Sequence, residues 1–199
     1  MYRFIETIHY RNGVLRNMEY HNERFNRTRK EFCKCHKYKK IEDIITIPSG
    51  LSSTNYKCRL IYGRLIEKTE FLPYKLKEIG KLRLVFDDAI EYSWKYKDRE
   101  AINRLMEQRG ECDDILIVKN GLLSDSSYAN LAFGDGTDWY TPAQPLLAGT
   151  MRASLIDRGL LIPKDITPDD LGKYSHIRLI NAMMDLEEGI CLDTASIIV

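Results

Sequence analysis

The sequence predicts an α+β fold in which a small N-terminal α/β domain, residues 1–88, precedes a larger, mainly-β domain with helices, residues 89–199. Three features lead there. The N-terminal part runs strand, hairpin, helix and a second hairpin. The C-terminal part is a meander of short apolar strands broken by turn residues. Helical spacing recurs there only in brief stretches, and no internal repeat or low-complexity segment interrupts the order.

Taken in order, Tyr2 to Tyr10 reads as a strand, and Asn12-Gly13 as a hairpin turn from which Val14-Leu15 returns. From about Met18, His21, Phe25, Thr28 and Phe32 fall on one side of a helix, with Arg24 beside them. Pro48-Ser49-Gly50 and Ser52-Ser53 make a loop. Tyr56 to Tyr62 and Leu65 to Tyr74 form a hairpin around Gly63, and Lys81 to Phe86 adds a strand. Asp87 to Trp94 bridges the two domains, and a helix then places Ile102, Leu105 and Met106 on one face. Ile115 to Val118, a Lys119-Asn120-Gly121 turn and Leu122 to Phe133 begin the meander, which turns at Gly134-Asp135-Gly136 into Trp139 to Pro142. Gly149-Thr150 opens a helix running through Leu155. A short helix near Asp169, a strand at Ile177 to Ile180 and a last strand at the C-terminus complete the order.

The composition, 44% hydrophobic and 30% charged, is that of a soluble globular protein. Its longest apolar runs, Ile115 to Val118 and Ala195 to Val199, are too short to cross a bilayer. The opening Met-Tyr-Arg-Phe-Ile-Glu-Thr has no apolar signal core, so a cytoplasmic location with no membrane partner is expected. Five scattered cysteines argue against a disulfide framework. Cys33, Cys35 and His36 lack a second ligand pair, and they read as small, partly buried thiols rather than a metal site. The basic stretch from Arg24 to Lys40 could attract a phosphate backbone. With charge balanced elsewhere, net +1, it reads better as a solvated helix face with one arginine recruited for something specific, and no nucleic-acid partner is expected.

Four segments carry chemistry together. They are His21-Asn22-Glu23-Arg24-Phe25, Lys95-Tyr96-Lys97-Asp98-Arg99, Gly121 through Asp125 and Asn130 to Phe133, and Tyr140-Thr141-Pro142 with Leu147-Ala148-Gly149-Thr150-Met151-Arg152. Each is weak alone. As an ordered series from Ile5 to about Ile197 they resemble the class IV aminotransferases, which include branched-chain and D-amino-acid aminotransferases and 4-amino-4-deoxychorismate lyase. The resemblance implies PLP fold type IV, pyridoxal 5'-phosphate (PLP) as cofactor and a homodimer.

It also implies roles. Lys95 is the Schiff-base lysine and proton shuttle, with Lys97 the rival two residues on. Asp125 stands where the family has the glutamate that keeps the pyridine nitrogen protonated, one methylene shorter, and Asn130 follows at the family's spacing. Arg24 matches the phosphate-binding arginine, whose fork suits bidentate contact. Gly149 allows the Thr150 and Met151 amides to meet the phosphate at a helix start, an effect of about 0.3–1 kcal/mol near a surface, and Asn181 resembles a late phosphate ligand. Arg59 lies where some relatives hold a substrate carboxylate, with an exposed strand arginine the equal alternative, and Arg99 falls near the cofactor ring, where aminotransferases carry tyrosine. Arg152, Arg27 and His21 read as structural: helix-surface charge and a histidine packing beside Arg24.

Relatives usually have a longer N-terminal domain, which shapes the substrate pocket. The Lys95-x-x-Asp98-Arg99 signature and Leu179-Ile180-Asn181-Ala182-Met183 resemble the lyase branch. The implied reaction is conversion of 4-amino-4-deoxychorismate, an anionic amino substrate, to 4-aminobenzoate and pyruvate. The alternatives are transamination of a small amino acid and PLP binding without turnover.

Overall fold

A computed structural model describes residues 2–51 and 55–199, so Ser52 and Ser53 of the predicted loop lie outside the described residues. The chain divides into two compact units: residues 1–76 with 94–98, and residues 77–93 with 99–199. A single cut near residue 88 would not describe this. The strand at Leu82–Phe86 pairs with strands of the second unit, and residues 94–98 return to the first because their backbone joins its sheet.

In the first unit β1 (Phe4–Arg11), β2 (Val14–Leu15), β3 (Tyr56–Tyr62) and β4 (Ile66–Pro73) form an antiparallel sheet ordered β2-β1-β3-β4. Asn12 and Gly13, with φ of 53° and 82°, make the two-residue turn that sets Arg11 opposite Val14. This double positive φ is the type I′ geometry that matches strand twist. Strand alternation puts Phe4, Glu6 and Ile8 on one face. Helix α1 (Met18–Cys33) covers it with Phe25, and β3 adds Cys58, Leu60 and Tyr62 to the same apolar cluster.

The second unit is built on a mixed sheet of β5 (Leu82–Phe86), β6 (Asp114–Lys119), β7 (Leu122–Ser126), β8 (Asn130–Gly134), β9 (Trp139–Pro142), β10 (Ile162–Lys164) and β13 (Ile197–Ile198), ordered β10-β9-β8-β7-β6-β5-β13. On β8 lies β11 (His176–Ile180), and β12 (Ile190–Asp193) pairs with β11. Helix α2 (Glu100–Met106) buries Ile102 and Leu105 as its spacing predicts. Helix α3 (Thr150–Asp157) is the crossover between parallel strands β9 and β10. Leu131 and Phe133 of β8 enter the main apolar cluster, while Ala132 packs under α3 with Leu155 and Ile180.

The run Leu122 to Phe133 folds as the two strands β7 and β8. Ser127 and Tyr128 turn the chain so that Asp125 sits opposite Asn130. Among the described residues no helix is long and apolar enough to cross a membrane.

Phe133 is fully buried, 5.4 Å from the Tyr174 ring. Phe133→Ala should therefore cost about 3–5 kcal/mol in a urea titration, seen as a lower midpoint at unchanged slope.

Candidate active site

The first unit places a carboxylate inside an apolar strand face. Glu6 is fully buried, and α1 brings His21 and Arg24, one turn apart, onto it. Arg24 donates from Nε to Glu6 Oε1 at 2.9 Å and from Nη2 to Oε2 at 2.6 Å. His21 Nδ1 shares Oε2 at 2.7 Å. Burial alone would raise the Glu6 pKa; the Arg24 charge and the bonds from His21 and Arg24 outweigh it and bring the group down to about 2. Burial lowers the His21 pKa against the pull of Glu6, and the Arg24 and Lys95 charges lower it further. His21 is thus neutral near pH 7, with Nδ1–H donating to the carboxylate.

Lys95 belongs to this group through its backbone as well as its charge. Its carbonyl accepts the Ile5 amide at 3.0 Å, Tyr96 bridges Phe4, and the Lys97 amide donates to Arg3. The segment is a short added strand on β1, with the Tyr96 ring 5.2 Å from Phe4. Lys95 is half-buried, whereas Lys97 is exposed.

In the second unit the centre is Asp125. Between β6 and β7 the register shifts: Val118 faces Leu123, yet Leu116 faces Ser126. The extra residue on β7 is a bulge, the device that re-aims a side chain. It turns Asp125 toward Asn130, whose Nδ2 donates to Oδ1 at 2.7 Å and to the Leu147 carbonyl at 2.8 Å. The Leu147 amide donates to Asp125 Oδ2 at 2.8 Å. The loop before α3 is thereby tied to the β7–β8 hairpin. Gly149, which caps α3, is required there, since a Cβ would lie 2.0 Å from Asn130 Oδ1.

The remaining predicted residues fall as follows. Thr150 and Met151 open α3, and the Met151 side chain packs in the apolar cluster. Arg99 is exposed and donates to the Ser127 carbonyl at 2.6 Å. Asn181 accepts the Met183 amide at 2.8 Å. Arg59, on the interior strand β3, is paired across the sheet with Glu70 at 2.8 Å. Arg152 is not helix-surface charge. It is buried and ties α3 to β9 by bonding Thr141 Oγ1 and the Pro142 carbonyl, because α3 turns that face inward. Arg27 does lie on the helix surface, over the Trp94 ring. Glu6 is the residue that sequence reasoning missed. Its signal was an acid at an inward position of the apolar strand Phe4 to Tyr10.

The family model described as amino-transferase class IV matches residues 93–186. An uncharacterized protein of Haemophilus influenzae is 37% identical over 188 residues, covering 94% of this chain and 100% of that protein. A crystal structure from Haemophilus somnus, provisionally named a 4-amino-4-deoxychorismate lyase, is 34% identical with a TM-score of 0.84, over 94% of this chain and 98% of its own. The PLP-bound form of a hypothetical aminotransferase from Mycobacterium tuberculosis, 14% identical, shares the fold with a TM-score of 0.73 over 96% of this chain and 80% of its own. The chain has the architecture of fold IV transaminases. It belongs to the class IV aminotransferase family, a family of enzymes.

Two outcomes follow from this geometry. Both His21 and Glu6 have depressed folded-state pKa values, so their contributions are present at high pH and lost on acidification. The His21 part goes as pH falls below the ordinary 6.5, and the Glu6 part between 4.5 and about 2. Chemical denaturation across this range should show a shallower acid limb in Glu6→Gln than in the wild type. Gly149→Ala should lower stability by about 1–3 kcal/mol in thermal melts, because Asn130 must leave Asp125 to admit the methyl group.

Proposed function

We propose that this chain is a PLP-dependent lyase converting 4-amino-4-deoxychorismate to 4-aminobenzoate and pyruvate. One observation carries the reading: Lys95 is half-buried and pinned by its backbone to the strand that bears Glu6, within electrostatic reach of His21 beside Arg24, while Lys97 is exposed. Its support for the lyase over other family reactions is the 34% identity to the Haemophilus somnus protein.

The donor set fits the cofactor. A phosphorylated pyridine aldehyde calls for a primary amine, a cation for its phosphate and an acid for its ring nitrogen. In the first unit Lys95 and Arg24 would supply the first two. In the second unit Asp125 would hold the ring nitrogen's proton, kept in place by Asn130. The Thr150 and Met151 amides and Asn181 would add phosphate donors, and Arg99 would lie by the ring. When bound, PLP supplies an electron sink for bond breaking at the substrate's amine-bearing carbon.

Lys95 has two tasks. Its Nζ takes the proton from the amine-bearing ring carbon, the pyruvyl ether leaves as enolpyruvate from the neighbouring carbon, and the ring becomes aromatic. The same amine then releases 4-aminobenzoate. Arg59 would orient a substrate carboxylate, sharing its charge with Glu70. We take the working form to be a homodimer located in the cytoplasm.

Transamination of a small amino acid is the second reading, favoured by the class IV aminotransferase match over residues 93–186. An assay with aminodeoxychorismate decides: pyruvate and 4-aminobenzoate in equal amounts support the lyase. Conversion of PLP to its pyridoxamine form by an amino acid supports transamination, and PLP binding without either product identifies a non-catalytic binder. Lys95→Ala should abolish product formation and borohydride-fixed cofactor, whereas Lys97→Ala should retain both. Labelling at Lys97 instead would overturn the assignment.

A further inference from the structure

The buried ion pair of the first unit does more than the core requires. A carboxylate there must be desolvated, and an apolar pair of similar size would fill the space at no loss of stability. Here Glu6 takes both prongs of the Arg24 fork and a third bond from His21, which leaves that guanidinium a single plane and orientation. The adjacent residue, Ile5, gives its amide to the Lys95 carbonyl. One step of β1 therefore sets the side chain of the arginine and the backbone of the lysine.

We propose that Glu6 is a positioning residue for an anionic ligand group, fixing the plane and orientation in which the Arg24 guanidinium meets the phosphate of the cofactor. The inference rests on the PLP reading above. Glu6 acts only through Arg24, so it should govern the phosphate's share of binding and leave the aldehyde's share at Lys95 intact.

The test compares affinities for PLP and for pyridoxal, which lacks the phosphate, read from the near-visible absorbance of the lysine-bound aldehyde and independent of turnover. The wild type should prefer PLP strongly. Glu6→Gln should lower the PLP-to-pyridoxal preference by about tenfold or more, a loss of about 1.4 kcal/mol in phosphate binding, with pyridoxal affinity unchanged. Arg24→Met should lose the same preference, and the double variant Glu6→Gln/Arg24→Met should be no worse than Arg24→Met alone. Should Glu6→Gln fail to fold, with Arg24 left unpaired in the core, Glu6→Asp is read in its place. It keeps the charge and withdraws it by one methylene, and the preference should again fall. A folded Glu6 variant whose preference stays within about twofold of the wild type would overturn the proposal, as would equal losses for PLP and pyridoxal. A wild type that binds neither aldehyde at Lys95 overturns the cofactor reading itself, an outcome distinguishable from a wild type that binds both and a variant that keeps its preference.

Discussion

The first unit is organised around one fully buried carboxylate that receives three hydrogen bonds. Glu6 faces α1 from an otherwise apolar strand face, and its partners come from a single turn of that helix. An unpaired charge at this depth costs several kcal/mol, so α1 can dock on β1 only in the register that brings Arg24 and His21 to it. Apolar packing by Phe25 and Tyr62 would tolerate small slides of the helix; the bidentate fork does not. Because the added strand at Lys95 hangs on the amide of Ile5, the place of the lysine is set by the same strand.

The second unit solves an equivalent problem with neutral donors. A bulge in β7 turns Asp125 out of the face that Leu123 occupies, and hairpin register puts Asn130 opposite it. Asn130 then binds both Asp125 and the Leu147 carbonyl, and the Leu147 amide closes the ring. One oxygen of Asp125 is held by Asn130 and the other by the loop that leads to α3, and Gly149 lets Asn130 approach that loop closely. Arg152, buried behind, adds a charge that Asp125 feels and ties α3 to β9.

Much of this was legible in the sequence, for identifiable reasons. The Asn12-Gly13 and Asn120-Gly121 turns need positive φ, and both residue pairs adopt it. Strand β3 and the start of α1 were readable from spacing alone. The motif residues were readable as a series, because each stands at a fixed offset from the next. What could not be read was three-dimensional pairing. The five-residue step from Asp125 to Asn130 is the register of a tight hairpin, which the spacing alone does not show. Arg152 and Arg27 look alike as helix arginines, and only the packing of each helix separates the buried one from the exposed one. Glu6 passed as part of a strand because a buried acid has no local signature apart from its alternation; its partners lie 15 and 18 residues away. The division of the chain was hidden for the same reason, since residues 94–98 join the first unit by backbone bonds to β1 rather than by composition.

The charge balance around Lys95 bears on how such a lysine can work. Glu6 is ionised, Arg24 is cationic, and His21 is held neutral by burial, so this cluster presents no net charge to the lysine near neutral pH. An apolar pair in the same space would leave the place of the helix to packing alone, whereas the buried carboxylate fixes the guanidinium in one plane while cancelling its charge within the core. The pair thus reconciles two demands that oppose each other in a small domain: a cation held in one orientation, and a core that carries no net charge.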